Sequence, residues 1–234
     1  MTRADWHGRF SVLLVLILFT ILLSSLASGT WGGRVVARVL LSGVLLGGVW
    51  AASRRRRPLA VAVGLAISAM AATWLHHFRP DDLWVAAASH ALVVMVFGVT
   101  LVAILSHVVR QRRVTVETIS GGICVYLLIG FTGAFLYSLV ELFHPGSLRI
   151  LAVEQFPPSE SHRYVYPHPG FDLLLYYSFI TLATVGYGDI IPLTTAARSL
   201  SALEAILGQL FLAVFIARLV GMHIASADRD KDAP

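Results

Sequence analysis

The 234-residue chain is 57% apolar and only 13% charged, about half the charged share that a water-soluble domain carries to keep its surface wet. A net charge of +5 does not mark a nucleic-acid binder here, because the arginines gather where apolar runs end and no aromatic residues alternate with them as a stacking surface. The single cysteine, Cys124, lies inside an apolar run, so it supports neither an intrachain disulfide nor a cysteine metal cluster.

In chain order the apolar runs cover 10–28, 34–52, 58–77, 83–109, 119–143 and 198–224, each long enough to cross about 30 Å of hydrocarbon. A further run, 172–183, is too short to cross. The expected fold is an all-α membrane protein with six transmembrane helices and one re-entrant helix. A cytoplasmic N-terminus places Arg3, Arg9, Arg54 to Arg57, Arg110, Arg112, Arg113, Arg229 and Lys231 inside. The other face then holds the scattered Arg34, Arg38, Arg79, Arg149, Arg163 and Arg198. Only one face receives dense clusters, so both termini are expected in the cytoplasm. Residues 1–28 admit two readings, a cleavable signal peptide ending in Ser25-Leu26-Ala27 or a retained first helix. The retained helix is expected, since the apolar stretch fills a span; cleavage would leave the other five helices oriented alike.

Between the short run and the last span stands Thr184-Val185-Gly186-Tyr187-Gly188-Asp189. A cation leaving water must exchange its shell of water oxygens for protein oxygens. Thr184, Val185, Gly186 and Tyr187 offer backbone carbonyls, and the Thr184 hydroxyl adds one more ring. Aiming successive carbonyls at one axis needs backbone angles that Gly186 and Gly188 accept without a Cβ penalty. Potassium filters built from four such loops are the established precedent. Asp172 fits the N-terminal end of a helix over Leu173 to Ala183, where a carboxylate favours the helix dipole. That helix re-enters the membrane and stops, so its negative end favours a cation. Pro192 is read as ending the loop.

Residues 117–224 resemble the potassium channels of the pore-loop superfamily, especially the prokaryotic ones. The resemblance rests on Thr181-Leu182-Ala183, on the filter motif 184–189, and on Gly208, which follows Gly188 at the interval where the family places a hinge. It implies a homotetramer around a central pore, with K+ bound at Thr184, Val185, Gly186 and Tyr187 and with Gly188 closing the filter. Where the family often has two adjacent tryptophans, this chain has Tyr176 and Tyr177, and either hydroxyl is placed to brace Asp189. The position four before the filter threonine is Ile180, so the carboxylate some members carry there is missing. The six-helix plan also looks like that of voltage-gated channels, but residues 84–109 contain no Arg or Lys. Arg110 and Arg113 sit at the cytoplasmic end, so strong voltage gating is not expected.

The implied organisation is a four-helix domain over 1–113 without gating arginines, a pore domain over 114–226 and a short cytoplasmic tail over 227–234. Glu204 is read either as bracing the pore helix or as a plain helix–helix hydrogen bond; Gln209 is read as facing the cavity or packing likewise. Leu212, Ile216 and Val220 recur every four residues after Gly208 and are read as an inner gate, or else as packing against the fifth helix. Arg218 is expected to snorkel to head groups rather than to meet the linker 110–118. His90 is read as a packed neutral residue. His144, His162 and His168, with Glu154 and Glu160, are read as a solvated outer turret.

The function expected is passive K+ conduction, with no enzyme chemistry, no cofactor beyond permeant K+, membrane lipids as surroundings, and neither nucleic acid nor an auxiliary subunit as partner. The alternatives are the membrane subunit of a potassium transporter, a weakly selective cation channel, or a non-conducting sensor.

Overall fold

A computed structural model of the chain describes residues 8–26, 31–52, 56–79, 81–111, 114–151 and 170–231. It contains the helices α1 (Arg9–Leu26), α2 (Trp31–Ala52), α3 (Arg56–Phe78), α4 (Leu83–Arg110), α5 (Val116–Phe143), α6 (Phe171–Leu182) and α7 (Thr195–Lys231). Two short strands join them, β1 (Leu148–Ile150) and β2 (Ile190–Pro192). Of the described residues 85% are helical, an arrangement that satisfies backbone hydrogen bonds where lipid offers none. Three described helical stretches, Leu83–Arg110, Val116–Phe143 and Thr195–Ala225, are long and apolar enough to cross a membrane. This is a membrane protein.

Local chemistry sets the helix limits. Pro58 lies in the first turn of α3, where its missing N–H loses no helical partner. Asp82 caps α4, its Oδ1 accepting the backbone N–H of Trp84 at 3.0 Å and of Val85 at 3.2 Å. Thr194 does the same for α7 through the amide of Ala197 at 3.3 Å.

Two compact units make up the fold, and α3, α4, α5 and α7 each contribute to both. One unit draws on Met1–Ile67, Val96–Ile129 and Leu210–Pro234. Within it, Leu13 and Leu16 of α1 pack on Gly43 and Gly47 of α2. Glu117, in the first turn of α5, accepts the amide of Gly8 at 2.5 Å and that of Phe10 at 3.3 Å, capping the start of α1. The buried Cys124 thiol donates to the Phe10 carbonyl at 3.4 Å.

The other unit draws on Ser68–Met95 and Gly130–Gln209. Its core gathers Tyr137, Leu148, Leu174, Tyr177, Ile180, Ile190 and Ala197. His90 lies against the Phe135 ring at 5.6 Å between centroids, with His76 at 5.8 Å, in line with the packed reading. A short ribbon, β1–β2, accompanies the helices. It is antiparallel, with Leu148 opposite Pro192, Arg149 opposite Ile191 and Ile150 opposite Ile190. Pro192 therefore ends an edge strand rather than a loop, a position where its missing donor is tolerated.

Candidate functional site: a re-entrant helix and the loop behind it

Phe171 rather than Leu173 starts the short helix α6. Gly170 is the N-cap of α6, and Asp172 falls within its first turn. A carboxylate one step inside the helix still meets the positive end of the dipole.

The opposite end of α6 organises the loop. The amides of Val185 and Gly186 both donate to the carbonyl of Ile180, at 2.8 and 3.3 Å, and the amide of Thr184 donates to Thr181 at 2.9 Å. A trans peptide sets its carbonyl opposite its N–H, so the carbonyls of Thr184 and Val185 point away from α6. Positive φ recurs at alternate residues: 56° at Thr184, 53° at Gly186 and 81° at Gly188. Alternating left- and right-handed residues turn consecutive amides to one side and their carbonyls to the other. A Cβ added at Gly186 or Gly188 would meet no atom within 4 Å. Glycine is needed there for its dihedral freedom, not for space. Thr184 holds a left-handed conformation at a cost of roughly 1–2 kcal/mol. Residues 184–188 are all exposed within the single chain, Tyr187 by 73%.

Beyond the loop, the two tyrosines divide their work. Tyr176 donates to Asp189 Oδ2 at 2.7 Å, while Tyr177 pairs with Ser201 Oγ at 2.7 Å. Asp189 also accepts the amide of Leu151 through its carbonyl at 2.8 Å, which ties the end of β1 to the end of the loop. The turn before β1 is held by Glu141, whose carboxylate accepts the amides of Gly146 at 2.6 Å and Leu148 at 3.2 Å. His144 is exposed; Glu154, Glu160, His162 and His168 fall outside the described residues.

Three neighbouring residues of α7 meet α6 and the loop. The buried Glu204 takes Ser178 on one carboxyl oxygen and the Tyr137 hydroxyl, at 2.7 Å, on the other. Gly208 lies against the end of α6, so closely that a Cβ would stand 2.2 Å from the Leu182 carbonyl oxygen. This contact alone demands glycine, and α7 runs through it as a continuous helix. Gln209 donates to the Thr184 hydroxyl at 3.2 Å.

Further along α7, Gln209, Ala213, Ile216 and Val220 share one exposed face at helical spacing. Ile216 and Val220 are 56% and 53% exposed, whereas Leu212 is half-buried and turns from that face. Arg218 does not snorkel. Its Nη2 donates to the carbonyls of Val109 at 2.5 Å and Gln111 at 2.8 Å, with Val108 at 3.4 Å. A cation there donates to carbonyls at the C-terminal end of α4 and meets the negative end of its dipole.

Glycines on α5 make room for the side chains that pack against it. A Cβ at Gly133 would stand 2.1 Å from Glu204 Oε1, and one at Gly130 would stand 2.5 Å from the Phe179 ring. A Cβ at Gly122 would lie 2.0 Å from the Phe215 ring. Small residues let helices approach closely in lipid, and the repeated Gly at 121, 122, 130 and 133 is the signal that was available.

A family model described as ion channel matches residues 167–224, which takes in α6, the loop and most of α7. The match supports an ion channel of the pore-loop superfamily and points away from an enzyme. No curated protein and no solved structure matches the chain.

Proposed function

We propose that the chain is one subunit of a homotetrameric, potassium-selective channel that conducts passively across a bacterial inner membrane. The observation that carries this reading is the alternation of positive φ at Thr184, Gly186 and Gly188 at the C-terminal end of a helix too short to cross. Four copies of such a loop surround a dehydrated cation with rings of carbonyl oxygens, which replace the water it leaves behind. The Thr184 hydroxyl supplies the innermost ring. The negative end of α6 faces the same point and lowers the energy of a cation there. In this reading six helices cross the membrane, both termini are cytoplasmic, and K+ is cargo rather than a resident cofactor.

Assembly is supported by the surface of α7. Only 11% of its most apolar stretch is buried within the chain, and Leu203, Ile206, Leu207, Leu210 and Val214 are each more than half exposed. The face bearing Ile216 and Val220 is continuous with Gln209 beside the filter. Four copies of that face line an inner constriction, where an ion loses hydration without replacement. Missing arginines in 84–109 make conduction weakly dependent on voltage.

The test is reversal potential in mixed K+ and Na+ with purified protein in a planar bilayer. Selective K+ current is expected, with an open probability that changes little between about −100 and +100 mV, because few gating charges cross the field. Tyr187→Asp is expected to collapse the K+/Na+ discrimination or abolish current. A reversal potential that ignores the K+ gradient, or that is identical in the mutant, refutes the filter assignment.

A further inference from the structure

The surroundings of Glu204 can be counted hydrogen by hydrogen. A serine or tyrosine hydroxyl has one hydrogen to donate, and a backbone carbonyl has none. Ser178 Oγ lies 2.6 Å from the Gly130 carbonyl oxygen and is also in short contact with Glu204 Oε1. The carbonyl can only accept, so the Ser178 hydrogen goes to it. The contact with Glu204 then lacks a hydrogen unless the carboxyl brings one.

The other partners offer no spare. Ser201 donates to the Ala197 carbonyl at 2.8 Å and receives the Tyr177 hydroxyl at 2.7 Å. The Tyr137 hydroxyl lies 2.7 Å from Glu204 Oε2 and 3.2 Å from Ser201 Oγ, so its hydrogen serves the carboxyl. The titratable groups facing Glu204 are Tyr137 from α5 and Tyr177 from α6. Among the described residues no Lys, Arg or His side chain hydrogen-bonds to it. The carboxyl fills the notch left by Gly133. An ionised carboxylate here would be a buried charge without a counter-ion, a state that costs several kcal/mol.

We propose that Glu204 works as an un-ionised acid, its Oε1 proton donated to Ser178 Oγ. It fastens α7 to α6 as a hydrogen-bond donor and places no fixed charge behind the filter. The hydrogen count stands on its own; its consequence for conduction rests on the filter reading above.

Infrared difference spectra of the full-length protein in lipid test it directly. Wild type minus Glu204→Gln should show the loss of one protonated-carboxyl C=O band and no carboxylate band. In thermal melts Glu204→Gln, whose amide can donate to Ser178 and accept from Tyr137, should stay within about 2 °C of wild type, and Glu204→Ala should fall by roughly 5 °C or more. Loss of a carboxylate band, or a glutamine variant as damaged as the alanine one, overturns the proposal. If Glu204→Ala does not assemble, Ser178→Ala gives a second reading. Its carboxyl band should move to higher frequency as the acceptor is lost, and an unmoved band overturns the proposal. A wild-type protein that failed the K+/Na+ test would sink the filter reading and leave these spectra unchanged.

Discussion

The two stretches of α7 are held by different chemistry. Residues 195–209 are fixed by directional contacts: hydroxyls on Glu204, a backbone carbonyl against Gly208, and an amide on the Thr184 hydroxyl. Among residues 210–225 the contacts are of rings and of a cation. Phe211 stacks on Phe215 at 5.6 Å and leans on Tyr126 at 6.1 Å, Phe215 enters the Gly122 notch, and Arg218 takes the end of α4. Ring contacts tolerate sliding, whereas a backbone atom against a glycine does not. The first stretch is therefore built to keep one position, and any gating motion is expected in the second.

The largest effect should come from challenging the fixed stretch. Gly208→Ala puts a methyl group where the Leu182 oxygen stands, and overpacking against backbone costs about 3 kcal/mol. Loss of assembled protein on size exclusion, with no K+ flux from what remains, is expected. A variant that assembles normally and only opens more slowly would favour the hinge reading of this glycine.

Next in size is a change on the exposed face of the second stretch. Ile216→Asn and Val220→Asn should raise resting K+ conductance several-fold by wetting the constriction, with unchanged assembly. Ordinary currents from both variants would move the gate to the filter.

The smallest effect belongs to the cation. Arg218→Ala removes a charged donor from the carbonyls ending α4, worth about 2 kcal/mol, so the melting point should fall by a few degrees. Arg218→Lys, with a compact charge in place of the fork, should recover part of the loss. Melting curves that do not separate the three proteins would show that the cation contributes nothing to holding this stretch.

What could be read from sequence followed from chemistry that tolerates few substitutes. Successive carbonyls aimed at one axis demand glycine at 186 and 188, and positive φ is found at both, as it is at Thr184. Which tyrosine reaches Asp189 depended on the facing of a helix whose apolar residues cover every side, so sequence left Tyr176 and Tyr177 equal. The partners of Glu204 lie 26 and 67 residues away, and no local pattern links a lone serine in α6 with a tyrosine in α5. Arg218 sat within reach of both lipid and linker, and the unsatisfied carbonyls of Val109 and Gln111 that decide between them are invisible in sequence. The ribbon was missed because its strands are three residues long and one of them contains proline.

The contacts made by Arg218 and Glu117 also bear on biogenesis. Each joins residues that are distant along one chain, about 110 positions apart, and each is complete without a neighbour. A newly inserted subunit can therefore fasten α1 to α5 and α7 to α4 while still alone in the bilayer. In the tetramer proposed above, only the ring of loop carbonyls has to wait for three companions. If the proposed assembly holds, a subunit with a damaged loop should consequently fold, survive quality control and join healthy copies, so that one bad loop silences the whole assembly.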